Sequence, residues 1–188
     1  MVRFNPYQPD RIAWAVDSGA IEFWDLRYEP NVVSRIQAHS RIARCVDWHP
    51  ECKDLIVSGG GDKIIKLWDM NSSTAVNKVQ TFATVSKVTW KSTHEVASIS
   101  DVFDTNIYIW HLGFTSMPQY IFKGKRDYCD LTLLDDYLLS CTKDGLLSKC
   151  SYSMATRPMS YFCASALTIT PFNEIVACHN PLPTRDPD

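Results

Sequence analysis

The chain has 188 residues, 45% of them hydrophobic and 21% charged, an ordinary balance for a globular protein with room for one domain and a sizeable core. Its net charge of −2 gives no strong attraction to nucleic acid or to an anionic membrane, so neither is expected as a partner. There is no apolar run of about 18 residues or more, hence no expected transmembrane helix, and the opening MVRFNPYQPD lacks the apolar stretch of a signal peptide.

The predicted elements are short strands from the first residues onward. VRFNPY, RIAWAVD and AIEFWDLR read as three successive strands, with Ser18-Gly19 turning between the second and third, and VVSRIQAHS returns as an outer strand. A second set follows: ARCVDWHPE, DLIVSGG, a turn made by the Gly-Gly-Gly-Asp segment, KIIKLWDM, and KVQTFAT as the outer strand. A third set is SKVTWKS, EVASISD, NIYIWHL and PQYIFKG. The fourth is degenerate, with DLTLLD, DYLLSCTK, GLLSKCSY and a weak last strand near RPMSYF. ALTITP and NEIVACH begin a fifth set, before a polar, Pro-rich tail, NPLPTRDPD, expected to fray.

One aromatic pair marks the period. Trp24-Asp25 closes the third strand of the first set, Trp68-Asp69 closes its counterpart 44 residues later, and Trp110-His111 does so 42 residues after that. A self-similarity of about 40–45 residues ending in Trp-Asp is the signature of a WD-repeat β-propeller, each repeat supplying the four strands of a blade. The expected fold is therefore all-β, a partial WD-repeat propeller of about four blades plus part of a fifth. The repeats are placed at 1–39, 40–83, 84–124 and 125–162, with a partial one at 163–178, so that 1–178 is propeller and 179–188 is tail. Both ends read as cut from a larger ring, with a compact smaller ring as the alternative, because a propeller removes its strand edges by closing.

Counting back from each Trp gives a second regularity. Asp62 stands six residues before Trp68 and Ser58 ten before it; Asp104 and Ser100 hold the same offsets from Trp110; Asp144 and Ser140 hold them from Cys150, where a Trp is expected. His39 precedes the second repeat. His39, Ser58, Asp62 and Trp68 match the structural tetrad of WD repeats, in which the indole, a donor only, is satisfied through Ser and His to Asp. Trp24, Asp25, Asp69, Ser100, Asp104, Trp110, Ser140 and Asp144 are the related repeat positions. A Ser-His-Asp hydrolase triad is the competing reading; the chain order and the lack of a Gly-x-Ser-x-Gly elbow argue against it.

Other features give bland readings. Gly59-Gly60-Gly61-Asp62-Lys63 lacks the spacing of a phosphate loop. Asp135-Asp136 reads as a solvated turn. His49, His94 and His179 have no ligand-like spacing, and the cysteines at 45, 52, 129, 141, 150, 163 and 178 form no Cys-x-x-Cys pair, so no metal or cofactor is expected. Their odd number, with no secretion signal, points to reduced thiols in an intracellular protein. Lys123, Lys125 and Arg126 make a small basic cluster on an expected loop. Trp24-Asp25-Leu26-Arg27 has the Trp-Asp-x-Arg form of cullin-ligase substrate receptors, which gives an alternative function resting on Arg27.

Beyond the repeat, CVDWHPE, SGGGDKIIKLWDM, VQTFATVSKVTW, VASISDVFDTNIYIWHL and KRDYCD resemble one family: the N-terminal propeller of WD-repeat protein twenty-four, whose fungal counterpart is the restriction of telomere capping protein family. The resemblance spans roughly residues 1–150 and is weakest in the fourth repeat. It implies a non-catalytic scaffold in the SEA coat, or GATOR-type, complex, which acts at the vacuolar or lysosomal membrane and relays amino-acid sufficiency to the target-of-rapamycin kinase. It implies protein subunits as partners, a cytoplasmic location peripheral to that membrane through the complex, no direct membrane insertion, and no small-molecule substrate. The family's helical region and RING-like zinc module have no counterpart in these motifs, so no ligase activity is carried over.

Overall fold

The computed structural model describes residues 1–28, 32–72, 74–100, 104–113, 117–124, 127–134 and 137–158, and the backbone of two further strands at 167–169 and 175–177. Strands β1 (Val2–Phe4), β2 (Arg11–Ala15), β3 (Ala20–Asp25) and β4 (Val32–Gln37) make the first antiparallel sheet; β5 (Ala43–Trp48), β6 (Leu55–Gly60), β7 (Ile64–Asp69) and β8 (Ala75–Gln80) the second. β9 (Val85–Trp90), β10 (Glu95–Ser100), β11 (Ile107–His111) and β12 (Tyr120–Phe122) make the third, and β13 (Tyr128–Leu133), β14 (Tyr137–Thr142) and β15 (Leu147–Ser151) the fourth. β16 (Leu167–Ile169) and β17 (Ile175–Ala177) pair as a two-stranded sheet. Among the described residues the helical content is one 3-10 turn, Tyr152–Met154. The fold is all-β, built of WD-type blades.

The blades stack with one polarity. Cross-strand partners share a face, so Trp48, Ile56 and Trp68 lie on one face of blade 2, and Cys45, Gly59 and Ile65 on the other. The indole-bearing face of blade 2 packs on Ala13, Ala15, Ile21 and Phe23 of blade 1. Its opposite face, with Cys45, Val57 and Ile65, receives Trp90, Val96, Tyr108 and Trp110 of blade 3. Blade 3 in turn offers Ala97, Ile99, Ile107 and Ile109 to Leu131 and Leu138 of blade 4. The seams between blades 1 and 2 and between blades 2 and 3 thus carry the indoles, whereas the seam between blades 3 and 4 sets Leu131 and Leu138 against Ala97 and three isoleucines. The indole-bearing face of blade 1 stays in the open: Val2, Phe4, Trp14 and Val32 are all exposed, and Trp14 lies 5.9 Å from Trp24 between ring centroids.

Indole hydrogen bonds stitch the first strands of neighbouring blades. Trp48 Nε1 donates to the Arg3 carbonyl at 3.1 Å and Trp90 Nε1 to the Asp47 carbonyl at 3.4 Å. Both tryptophans end a first strand and stand 42 residues apart, a second aromatic series beside the Trp-Asp one. Charge alternates along the same strands, with Arg3 paired to Asp47 at 3.6 Å and Lys87 to Asp130 at 2.5 Å.

Two boundaries are set by the structure. Gly59 and Gly60, which the sequence places both at the end of the strand DLIVSGG and in the Gly-rich turn, belong to β6, and the turn is confined to Gly61–Lys63, with Lys63 at φ 63°. The outer strand of the second repeat runs over Ala75–Gln80, ahead of Phe82-Ala83-Thr84, because a bulge at Leu67/Trp68 starts the pairing at Ala75. Directly after β15, Thr156 bridges Ile121 on the outer strand of blade 3, exchanging hydrogen bonds of 2.8 and 2.9 Å. The Tyr152 ring seals that crossing edge-on against Tyr120 and Phe122. Met159 onward in RPMSYF lies outside the described residues, as do Lys125, Arg126, Asp135, Asp136, Cys163, Cys178, His179 and the tail.

Candidate functional site

Blade 2 brings His39, Ser58, Asp62 and Trp68 together. Trp68 Nε1 donates to Ser58 Oγ at 2.9 Å, and Ser58 Oγ lies 2.9 Å from His39 Nε2. His39 Nδ1 lies 2.8 Å from Asp62 Oδ1. The indole can only donate and the carboxylate only accept, so Nδ1–H donates to Asp62, and in the neutral imidazole Nε2 accepts from the Ser58 hydroxyl. Burial, the larger influence, pulls the imidazole pKa down against the carboxylate of Asp62.

Two glycines shape this site. Gly19, at φ +84°, turns the β2–β3 hairpin, and its carbonyl accepts from the backbone N–H of Ala38 and of His39, at 3.1 and 2.8 Å. That anchors the segment carrying the imidazole. A Cβ on Gly60 would stand 2.6 Å from His39 Cγ, so the ring occupies the volume that the glycine leaves empty. Asp62 closes the far end, accepting also from the Ser40 N–H at 3.3 Å and facing Lys66 at 4.0 Å.

The related positions behave differently from blade to blade. In blade 3 the indole of Trp110 donates to Ser98 Oγ at 2.8 Å, and Ser100 does not take part. Registers explain this: Ser58 stands two residues past the partner of Trp68, and Ser98 two past the partner of Trp110. The paired residues Ile99 and Ile107 are two further apart in sequence than their counterparts Gly59 and Ile65, so counting back by ten stops two residues short of the serine. Asp104 instead accepts from the Tyr108 hydroxyl at 2.8 Å and from Asn106, and burial pushes the Tyr108 hydroxyl up to about 12. In blade 4 Ser140 holds the register of Ser58 and is buried, with Cys150 in place of the indole; Asp144 lies in the turn before β15. In blade 1 the position of Ser58 is taken by Trp14, and Trp24 Nε1 reaches Glu22 at 3.3 Å.

The residue after each of these tryptophans has one local task. Asp25 Oδ1 accepts from the Arg27 N–H, Asp69 Oδ1 from the Asn71 N–H, and His111 Nδ1 from the Gly113 N–H, at 3.1, 2.9 and 3.0 Å. Each caps the turn that ends its strand, and histidine substitutes for aspartate because its ring nitrogen is an equivalent acceptor. Asp25 is further gripped by the Arg27 guanidinium at 2.9 and 2.7 Å, which holds its carboxyl well below the usual carboxylate range. The Arg27 guanidinium is thus engaged within its own blade, and neither the fold nor the relatives described below support a ligase-receptor role.

Among the described residues, His49 reads as structural too. His49 Nδ1 accepts from the N–H groups of Glu51 and Cys52, its Nε2 lies 3.1 Å from the Thr93 carbonyl of blade 3, and its ring packs edge-on against Trp90. His94 lies beside His111. Among the described residues no group of three or more His, Cys, Asp or Glu side chains could hold a metal ion. Ser58, fully buried and hydrogen-bonded on both sides, offers no hydroxyl to a substrate.

The family description "WD domain, G-beta repeat" matches residues 30–69. Among curated proteins, the chain is 34% identical over 167 residues to GATOR2 complex protein WDR24 of Gallus gallus, covering 84% of this chain and 24% of that protein. It is 32% identical to GATOR2 complex protein WDR24 of Homo sapiens, covering 84% of this chain and 21% of that one. The chain therefore spans about a quarter or less of the length of these relatives. Among solved structures, a chain of the Mitotic Checkpoint Complex aligns with a TM-score of 0.67 at 22% identity, over 79% of this chain and 48% of that one, which shows the fold.

Proposed function

This chain is a WD-repeat protein homologous to GATOR2 complex protein WDR24, and from that premise we propose that it acts as a non-catalytic interaction scaffold in a GATOR2-type complex. The observation that carries the reading is the 34% identity held over 84% of the chain, against 22% over 79% for the chain that shares the fold. A stack of rigid antiparallel blades is suited to displaying loops and sheet faces to protein partners. The polar network within blade 2 spends its groups on one another, and that agrees with a structural use. The finer part of the proposal comes from the family resemblance: relay of amino-acid sufficiency to target-of-rapamycin kinase signalling, from a cytoplasmic position peripheral to the lysosomal or vacuolar membrane and held there by the other subunits. No helix among the described residues is long and apolar enough to cross a membrane.

Affinity purification of the tagged chain from cell extract, with mass spectrometry of what it retains, tests the reading. Recovery of GATOR2-type subunits is expected. A chain that is β-rich by circular dichroism yet recovers none of them overturns it.

A further inference from the structure

Blade 4 is the one described blade that carries a cysteine, Cys150, at the Trp position of the repeat. Its ladder is also irregular: Tyr128 pairs with Thr142 and Asp130 with Cys141, so Cys129 is the extra residue of a bulge. In a bulge two residues oppose one, which turns Cys129 and Asp130 together toward Cys141. The two sulfurs stand 3.0 Å apart, and Cys129 is exposed while Cys141 is half-buried.

We propose that Cys129 and Cys141 are a redox modification site, closing reversibly to a cross-strand disulfide with glutathione disulfide, or a small disulfide of that class, as oxidant. The Cys129 thiolate attacks one sulfur of the oxidant and releases one glutathione thiolate, leaving a mixed disulfide. The Cys141 thiolate then attacks the Cys129 sulfur and releases the second glutathione. The two protein thiols lose two protons and two electrons, and one glutathione disulfide becomes two glutathiones. The order follows exposure: Cys129 meets the solvent, whereas Cys141 is half-buried, and contact with Cys129 holds the Cys141 thiol above its ordinary range. An exposed pair of this kind gives a labile bond. Asp130, beside the bulge, pairs with Lys87 of blade 3 at 2.5 Å, so the bond pins the strand that holds this seam, in the blade that lacks the indole.

The test takes the full 188-residue chain, reduces it, and equilibrates it in defined ratios of reduced to oxidised glutathione. Remaining thiols are then alkylated, and the chain is digested without reductant for peptide mapping. The expected result is the loss of two alkylatable thiols, one cross-linked peptide pair joining Cys129 to Cys141, and full reversal by dithiothreitol. Cys129→Ser and Cys141→Ser each abolish the cross-link, whereas Cys52→Ser leaves it. Any of three findings in the wild-type chain overturns the proposal, whatever the variants do: both thiols remain alkylated at every ratio, glutathione persists on either cysteine without cross-linking, or the bond joins a different pair.

Discussion

At the scale of the residue, the tetrad of blade 2 is a satisfied chain of donors and acceptors with no slack in it. Removing the indole N–H by Trp68→Phe keeps most of the apolar volume but withdraws a buried donor, and the expected loss is about 1–3 kcal/mol, read as a lower urea midpoint at unchanged slope. The imidazole predicts a pH dependence. Burial lowers the His39 pKa in the fold, whereas the unfolded imidazole titrates near ~6.5. Below that value the unfolded chain binds the extra proton, so this contribution to stability is complete above ~6.5 and is lost as pH falls from there toward the lower folded value. Denaturant midpoints at pH 7.5 and 5.5 should therefore differ, and His39→Gln should remove part of that difference. An equal slope in the variant would show that the imidazole is not held neutral.

At the scale of the element, the seams carry most of the apolar burial, and the two faces of blade 1 allow a direct comparison. Ile21, fully buried against blade 2, should cost about 2–5 kcal/mol on replacement by Ala. Phe4→Lys, on the exposed face of the same sheet, should change stability by no more than about 0.5 kcal/mol. Chemical denaturation of the pair measures both; equal losses would contradict the stacking polarity. The strands were legible in the sequence because alternating apolar residues and turn residues are local signals. The blade count followed from the Trp-Asp period. What stayed hidden depends on contacts distant in sequence. Ser98 was missed because a longer β10–β11 connection shifts the spacing, and only the ladder shows which serine faces Trp110. The reason for Gly60, room for His39, was not legible because it lies 21 residues away. Trp48 and Trp90, 42 residues apart, were a visible signal left unused; aligning the repeats on their first strands would have found them.

At the scale of the whole molecule, repeats of this kind owe their stability to their neighbours, and the strap from Tyr152 to Thr156 makes blades 3 and 4 more dependent on each other than the sheets alone would. Phe122, buried beneath the Tyr152 ring, is the test position: Phe122→Ala should cost about 3–5 kcal/mol, and limited proteolysis should cut beyond Ser151 sooner, before blades 1 and 2 open. The indole stitches have a mechanical meaning as well. Each reaches from its own blade back to the one before it, so a chain drawn taut between its ends meets a row of similar fasteners rather than a single clasp. Under a slowly rising load it should give way in instalments of about 140 Å of released contour, the extended length of one repeat, with blade 4 yielding first, because Leu133 stands where Trp48 and Trp90 stand in their blades and brings no indole N–H.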